Sequence, residues 1–420
     1  MADTVQSNSS IGWLADPLRA TRDAITERAY RFTGDRRAWV APIGLGLALL
    51  AISIVGWIQD APQFYFSYLV GWTFLLTTAI GGVFFLIFQH LTKAAWSVVV
   101  RRINEAIVWA FPLLFLLGLP LLFGMHDLYH WTHAELYDPN SPSYDAILAG
   151  KQSYLNVPFW SARMVVYFLI WSFISYKLYA LSIQQDATGD PDIPSRLRTV
   201  SAWGLPVMAV TTAFASYDIL MSLDPHWFST IFGVYFFIGG TLCAVAVMTF
   251  LSIAFQNAGM LKGVITAEHY QDLGKYMFGF TVFWAYIAFS QYMLIWYGGI
   301  PEEIAWYQHR LVGGWGWHSA FLLLLHFVVP FFILIARAPK RMPFLMAVMS
   351  VWFMVMHWFD LHWISMPVLN DTAGFHWLDF TCWLGLASLF GGLMIYRLKR
   401  HALVPTKAPY LADSLHFENS

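Results

Sequence analysis

Residues 65–89 form an uncharged apolar stretch with the sequence YFSYLVGWTFLLTTAIGGVFFLIFQ. A helix of about 20 mostly apolar residues is long enough to cross the hydrocarbon core of a bilayer. The stretch has this length and contains no acidic or basic side chain. It therefore predicts a transmembrane helix.

Further stretches of the 420-residue chain share this length and composition. Of all residues, 58% are apolar or aromatic and 12% are charged, whereas ordinary globular domains carry about 25% charged residues. This composition excludes a disordered chain, a nucleic-acid binder and a secreted disulfide scaffold. The predicted fold is an all-α integral membrane protein with ten transmembrane spans, at residues 40–58, 65–89, 104–124, 160–183, 202–222, 229–255, 274–298, 317–336, 344–365 and 377–396.

The distribution of Lys and Arg predicts how the chain is oriented. Most of the 24 basic residues fall on the side that holds both termini, and three fall on the other side, namely Lys151, Arg163 and Arg310. Cytoplasmic loops carry such an excess of basic residues. We therefore expect residues 1–39 to be a cytoplasmic segment with an amphipathic helix at 16–33, and residues 397–420 to be a cytoplasmic tail.

Ionisable side chains inside the predicted spans concentrate in the outer half of the membrane. Each is a candidate functional residue, because a charge in a membrane costs several kcal/mol unless it is paired or hydrated. His326 and His357 lie at similar depths on neighbouring spans 8 and 9, about 13 and 12 Å from the outer ends, and Asp360 follows one turn further out. Arg163 and Asp218 are expected to form an ion pair.

Three interpretations of His326 and His357 stay open. Two histidines at one depth on adjacent helices permit bis-histidine ligation of a haem. Together with Asp360 they permit a His–Asp–His proton relay to the outer surface. The third interpretation is hydrogen-bonded packing of two buried imidazoles. The concentration of titratable groups in the outer half favours proton or quinol chemistry that opens to the outside.

The sequence predicts no metal site and no covalently bound cofactor. His126 and His130, in MHDLYHWTH, have a spacing that could bind a metal if the segment were helical, but no third ligand is identifiable. Cys243 and Cys382 are single cysteines in apolar stretches. The chain lacks the cysteine motifs that attach c-type haem or iron–sulfur clusters.

Two long segments resemble a family of bacterial membrane proteins. They are SYDILMSLDPHWFSTIFGVYFFIGG at residues 216–240 and FSQYMLIWYGGIPEE at residues 289–303. With its ten spans, the chain is similar to the ActF subunits of alternative complex III, which are related to NrfD/PsrC-type membrane subunits. The resemblance implies two four-helix bundles, spans 2–5 and spans 6–9, flanked by spans 1 and 10.

The resemblance also implies a function and a set of partners. Alternative complex III is a quinol:electron-acceptor oxidoreductase of the bacterial cytoplasmic membrane. An ActC-like membrane subunit would carry the principal quinol site, and other subunits would carry the iron–sulfur clusters and c-type haems. This chain would be a cofactor-free accessory subunit, surrounded by lipid, with menaquinone or ubiquinone as the quinone of the complex.

The expected role of the chain within that complex is proton conduction in the outer half, or a position beside a quinone. The candidate residues are His326, His357, Asp360, Asp218, Arg163, Tyr292 and Asp379. Two rival functions remain. One is a secondary transporter with a substrate site near the membrane midplane. The other is a haem-b anchor with His326 and His357 as axial ligands.

Overall fold

The computed structural model describes residues 30–35 and 37–419. Its regular elements in these ranges are helices, ten of which are long and apolar enough to cross a membrane. The prediction of an all-α polytopic membrane protein is confirmed. In chain order, spans 1 to 10 are Val40–Gln59, Ala61–Leu91, Val98–Phe123, Val157–Thr188, Ile193–Leu223, Phe232–Asn257, Ala267–Gly298, Trp315–Leu334, Pro343–Val368 and Trp377–Leu398.

Some helices begin before the apolar stretches that predicted them. Span 5 begins at Ile193 instead of residue 202, and span 7 begins at Ala267 instead of residue 274. Local start signals set these ends, because Pro194 lies in the first turn of span 5 and Thr266 forms a capping box before span 7. The added turns contain charged residues, which a hydropathy pattern leaves out of a span.

The spans are arranged as two bundles. Spans 2–5 pack around one another, and spans 6–9 do the same. Span 2 of the first bundle lies against span 6 of the second, while span 10 packs with span 1 and against span 2. Spans 2 and 6 are the most deeply buried of the ten. The predicted arrangement of two four-helix bundles with flanking spans 1 and 10 is therefore present.

Glycines allow spans 2 and 6 to touch backbone to backbone. A methyl group added to Gly81 would collide with the backbone of Gly240, and one added to Gly240 would collide with the backbone of Thr77. Membrane helices approach closely through such small residues, because van der Waals packing drives their association in lipid. The crossing places Thr77 at the boundary between the two bundles.

The even number of spans puts the described residues just before span 1 and those after span 10 on one face of the molecule, which we name the terminal face. The opposite face, the distal face, carries the loop of residues 124–156. This loop packs onto the ends of the spans, since the hydroxyl of Tyr129 donates to the carbonyl oxygen of Ile219 (3.0 Å) and Nζ of Lys151 donates to that of Pro225 (2.6 Å).

The terminal face joins the N-terminal segment to the C-terminal tail. Of the amphipathic helix predicted at 16–33, residues 16–29 lie outside the described residues, and residues 30–33 are not helical. Tyr30 is buried, and its carbonyl oxygen accepts a hydrogen bond from the backbone N–H of Leu403 at 2.6 Å. This contact fixes the residues just before span 1 against the tail.

Span 8 contains a π-helical turn, Leu323–Val328, between two α-helical segments. Pro330 follows this turn and has no backbone N–H, so the carbonyl of Leu325, five residues earlier, lacks a donor from its own helix. The indole Nε1 of Trp352 on span 9 donates to that carbonyl instead, at 2.7 Å. The π-turn carries His326 and sets the direction of its side chain.

Candidate functional site

The carboxyl group of Asp360 lies inside the second bundle and is 2% exposed. Asp360 belongs to span 9. Its Oδ1 accepts a short hydrogen bond from the hydroxyl of Tyr235 on span 6, and its Oδ2 accepts one from the indole Nε1 of Trp284 on span 7, at 3.1 Å. Three spans therefore converge on one carboxyl group.

Both donors to Asp360 are neutral side chains. Within residues 30–35 and 37–419, no nitrogen of Lys, Arg or His lies within 4 Å of this carboxyl group. Ionisable side chains inside membrane spans are costly, and they mark proton pathways in many membrane proteins. The hydroxyl of Tyr235 can both donate and accept a hydrogen bond, which makes Asp360 and Tyr235 a candidate pair for proton exchange.

His326 lies flat against Trp284. Their ring centroids are 4.1 Å apart, and the ring planes differ by 3°. The imidazole is fully buried, and neither of its nitrogens has a hydrogen-bond partner among the residues that the structure describes. Buried polar atoms of this kind cost free energy unless a further group meets them. The π-turn around His326 adds a second indication, because such turns occur frequently at functional sites.

His357 connects the two bundles. Its Nε2 lies 2.8 Å from Oγ1 of Thr77 on span 2. Because this hydroxyl already donates to the carbonyl oxygen of Thr73 at 2.8 Å, we assign Nε2–H as the donor to Thr77. Nδ1 then keeps a free lone pair, and it has no described partner. A methyl group on Gly239 would lie 3.0 Å from Nδ1 and 3.9 Å from Oδ2 of Asp360, so both groups face the same point on span 6.

The predicted His–Asp–His relay is therefore brought together without direct hydrogen bonds between its members. Trp284 separates His326 from Asp360, since it stacks on the imidazole and donates to the carboxyl group. His357 contacts Thr77 through Nε2. The spacing on span 9 puts His357 and Asp360 on nearly one side of the helix, but the neighbouring spans supply their partners.

The predicted ion pair between Arg163 and Asp218 is present in the first bundle. Nη2 and Nε of the guanidinium donate to Oδ1 and Oδ2 at 2.7 and 2.9 Å. The hydroxyl of Tyr167 also donates to Oδ2, at 2.9 Å. This bidentate geometry is the strong form of an Arg–carboxylate pair, and it links spans 4 and 5.

Asp379 belongs to a second polar cluster, between spans 2, 9 and 10. Its Oδ1 accepts hydrogen bonds from Ser67 Oγ at 2.5 Å and from Gln63 Nε2 at 3.1 Å. Its Oδ2 accepts one from the backbone N–H of His376 at 2.7 Å, which is part of a capping box at the start of span 10. Nε2 of His362 lies 3.4 Å from Oδ2. These contacts make Asp379 a helix cap and an interhelical link.

Tyr292 lines a cavity of about 470 Å³ near the distal face, which we name the distal cavity. The cavity lies between spans 6, 7 and 8 and the short helix Pro301–His309. The ring of Tyr292 packs against that of Tyr307, with centroids 5.2 Å apart. Tyr235 and Trp284, the two donors to Asp360, line the same cavity. The cavity therefore adjoins the buried carboxyl group through its two partners.

The condition under which His126 and His130 could share a helix face is not met. The helix that contains His126 ends at Leu128, and His130 starts a separate 3-10 turn. His126 instead stacks on His133 with ring centroids 4.0 Å apart. Nε2 of His133 also lies 2.9 Å from the backbone oxygen of His126. The chain direction changes after Leu128, so the spacing does not produce a shared face.

Sequence reasoning missed Tyr235, Trp284 and Thr77, which contact Asp360 and His357. All three are uncharged residues in apolar spans that contain many similar side chains. Their role depends on which faces of spans 2, 6 and 7 turn toward span 9. One feature of the sequence could have pointed to Tyr235, namely its position within the segment at 216–240.

The function of the chain has to be inferred from the groups around Asp360 and from the segments at 216–240 and 289–303. The chain matches no protein-family model and no curated protein.

Proposed function

We propose that the chain is an integral membrane subunit of a quinol:electron-acceptor oxidoreductase of the alternative complex III type. The observation that carries this proposal is the buried carboxyl group of Asp360, which accepts hydrogen bonds from Tyr235 and Trp284. The two-bundle arrangement supports it, as does the resemblance of the segments at 216–240 and 289–303 to ActF subunits. The chain would be an accessory subunit that carries no redox cofactor itself.

The proposed location is the bacterial cytoplasmic membrane, with the terminal face toward the cytoplasm. The excess of Lys and Arg on the terminal face supports this orientation. The proposed partners are an ActC-like membrane subunit with the principal quinol site, an iron–sulfur subunit and c-type haem subunits. Menaquinone or ubiquinone would be the quinone of the complex.

Within this assembly, the groups around Asp360 would transfer protons. Quinol oxidation releases protons together with electrons, so a quinol-oxidising complex benefits from buried groups that accept protons and pass them on. Asp360 can exchange a proton with the hydroxyl of Tyr235, which lines the distal cavity. Nδ1 of His357 is an additional acceptor that faces the same point on span 6. The proposed direction is outward, because Tyr235 lies near the distal end of its span.

A contact of His357 argues against the haem-b alternative. Nε2 of His357 is engaged with Thr77 at 2.8 Å. Bis-histidine ligation through this atom would require that hydrogen bond to break.

The transporter alternative is favoured by a single feature, the π-turn in span 8. Secondary transporters use interrupted helices to coordinate substrates near the midplane with free backbone groups. In span 8 the carbonyl freed by Pro330 is occupied by Trp352. That carbonyl is therefore part of the helix packing, which makes the proton-transfer role the better-supported proposal.

The proposal is tested with Asp360→Asn in the complex that co-purifies with the full chain. Asn retains the size of the side chain but cannot take up a proton, so we expect quinol oxidation to fall at least about tenfold, with the partner subunits still present. Steady-state turnover with a soluble electron acceptor measures this effect, normalised to the c-type haem content.

Asp379→Asn is the matched control, because Asp379 is equally buried but is a helix cap. Its turnover per folded complex should stay within about twofold of wild type. Full activity in Asp360→Asn would overturn the proton role. Isolation of the chain without iron–sulfur and c-type haem subunits under mild conditions would overturn the assignment to this family.

A further inference from the structure

The buried guanidinium group of Arg310 lines the distal cavity. Arg310 follows the helix Pro301–His309 and is 2% exposed. Its Nη1 and Nη2 donate to the carbonyl oxygens of Trp306 at 2.8 Å and Ile364 at 2.5 Å. Its Cζ lies 3.3 Å from the centroid of the Trp306 ring. Arg310 is thus held in place by backbone carbonyls and by an aromatic face.

The charge of Arg310 has no carboxylate partner. In the described ranges, no Asp or Glu oxygen lies within 4 Å of its nitrogens. Its Nε has no hydrogen-bond partner there either. An uncompensated buried charge is strongly unfavourable. The site could therefore accommodate a negatively charged group that also accepts a hydrogen bond from Nε of Arg310.

Arg310 remains a cation at neutral pH in spite of its burial. Burial lowers the pKa of Arg310 to about 9, and the negative charge of Asp224 opposes that change. Asp224 acts from beyond ion-pair distance, because the two side chains form no salt bridge. The protein itself therefore balances the charge of Arg310 only in part.

The cavity beside Arg310 has an apolar wall and a mouth on the side of the molecule. Ala285, Ala288 and Leu322 contribute to the wall. Phe289 on span 7 and Leu323 on span 8 also line it, and they are 62% and 58% exposed. These exposed apolar side chains form the mouth of the cavity, which opens between spans 7 and 8 on the side of the molecule.

Arg310 lies beyond the ends of the spans, in the connection between the distal ends of spans 7 and 8. The cavity volume of about 470 Å³ falls within the range of roughly 300–1,000 Å³ that is common for ligand sites. Gln291, whose buried Oε1 has no described partner, and Tyr307 add polar atoms to the lining.

We propose that this cavity binds an anionic phospholipid, with its phosphate against Arg310 and an acyl chain along the apolar wall. A soluble anion would match the charge but not the wall or the lateral mouth. An uncharged lipid would match the wall but leave the cation unbalanced. Because Tyr235 and Trp284 line the same cavity, the bound lipid would also adjoin the partners of Asp360.

The test compares two lipids that share acyl chains and differ in charge, dioleoylphosphatidylglycerol and dioleoylphosphatidylcholine. Full-length protein is exchanged into each lipid, stripped gradually with detergent, and examined by native mass spectrometry. We expect wild type to retain phosphatidylglycerol under conditions that remove phosphatidylcholine. Arg310→Gln should lower that retention at least about tenfold, which corresponds to about 1.4 kcal/mol, and Arg310→Lys should restore part of it.

Two further variants keep the test decisive if Arg310→Gln folds poorly. Ala288→Phe fills the cavity and leaves Arg310 in place, so phosphatidylglycerol should be lost although the charge remains. Lys151→Gln removes another basic residue of the distal face, outside the cavity lining, and should retain the lipid as wild type does.

The proposal fails if wild type shows no preference for phosphatidylglycerol, or if Ala288→Phe retains as much of it as wild type. It also fails if solvent extraction of wild type yields, at one molecule per chain, a lipid without phosphorus, such as a quinone, that Ala288→Phe lacks.

Discussion

Three buried aspartates of the spans, Asp218, Asp360 and Asp379, differ in their hydrogen-bond donors. Asp218 binds the guanidinium of Arg163 through both oxygens. Asp379 accepts hydrogen bonds from a hydroxyl, an amide and a backbone N–H. Asp360 accepts hydrogen bonds from the phenol of Tyr235 and the indole of Trp284. Asp218 is thus paired with a cation, whereas both side-chain donors to Asp360 are neutral groups.

The pair of Arg163 and Asp218 gives a prediction at the scale of single residues. Arg163→Met leaves the Asp218 carboxyl buried with only the Tyr167 hydroxyl as a side-chain donor, so we expect the free energy of unfolding to fall by about 3 kcal/mol. The double variant Arg163→Met with Asp218→Leu should lose less than the sum of the single losses. Reversible unfolding in mixed detergent micelles measures these changes.

The exposed pair of Arg196 and Asp190 provides the control. Its nitrogen and oxygen are 3.9 Å apart, and the Arg196 side chain is 56% exposed, so Asp190→Asn should change the stability little. If Arg163→Met is as harmless as Asp190→Asn, the buried ion pair does not stabilise the first bundle.

Span 8 shows how one residue changes a whole element. Pro330 removes a backbone donor, the helix widens into a π-turn, and Trp352 of the next span supplies the missing hydrogen bond. The same turn carries His326, whose ring then stacks on Trp284. A π-turn contains more residues than an α-helical turn. If this turn were α-helical, the residues after it would therefore point in other directions relative to the residues before it.

This linkage predicts non-additive effects of two substitutions. Trp352→Phe leaves the Leu325 carbonyl without a donor, and we expect it to cost about 1–2 kcal/mol of stability. In a Pro330→Ala background the new N–H can supply that bond, so the same change should cost less. A double-mutant cycle on the free energy of unfolding measures the coupling.

Trp317→Phe is the control for loss of an indole, since Trp317 is 71% exposed at the start of span 8. It should have little effect in either background. Equal costs of Trp352→Phe with and without Pro330 would contradict the view that this indole replaces a donor removed by proline.

At the scale of the whole molecule, the crossing of spans 2 and 6 joins the two bundles. Gly81 and Gly240 permit backbone contact there, and the hydrogen bond between Thr77 and His357 crosses the same boundary. The packing of the bundles and the position of His357 therefore depend on one another. A change in the crossing should alter both.

Gly240→Ala tests this dependence. The added methyl group collides with the backbone of Thr77, which cannot move without separating the spans, so we expect a loss of about 1–3 kcal/mol in stability. Gly279→Ala is the control, because Gly279 lies in span 7 with no atom within 4 Å of the added carbon. It should be neutral or slightly stabilising. Thermal unfolding in detergent compares the two, and equal midpoints would refute the close contact.

Much of the fold could be predicted from local sequence. The ten spans follow from the length of the apolar stretches, because a bilayer imposes the same requirement on every crossing helix. The depth of His326, His357 and Asp360 in their spans could also be predicted, since it follows from their positions within those stretches. The pairing of Arg163 with Asp218 followed from opposite charge at similar depth in consecutive spans.

The tertiary structure decided which groups meet. Tyr235 and Trp284 bind Asp360, and Thr77 meets His357, because spans 6, 7 and 2 turn those particular faces toward span 9. The rotation of each helix about its axis is fixed by packing between spans far apart in sequence, such as the contact of Gly81 with Gly240. A sequence pattern records the depth of a residue in the membrane, but the direction in which it points depends on the neighbouring helices.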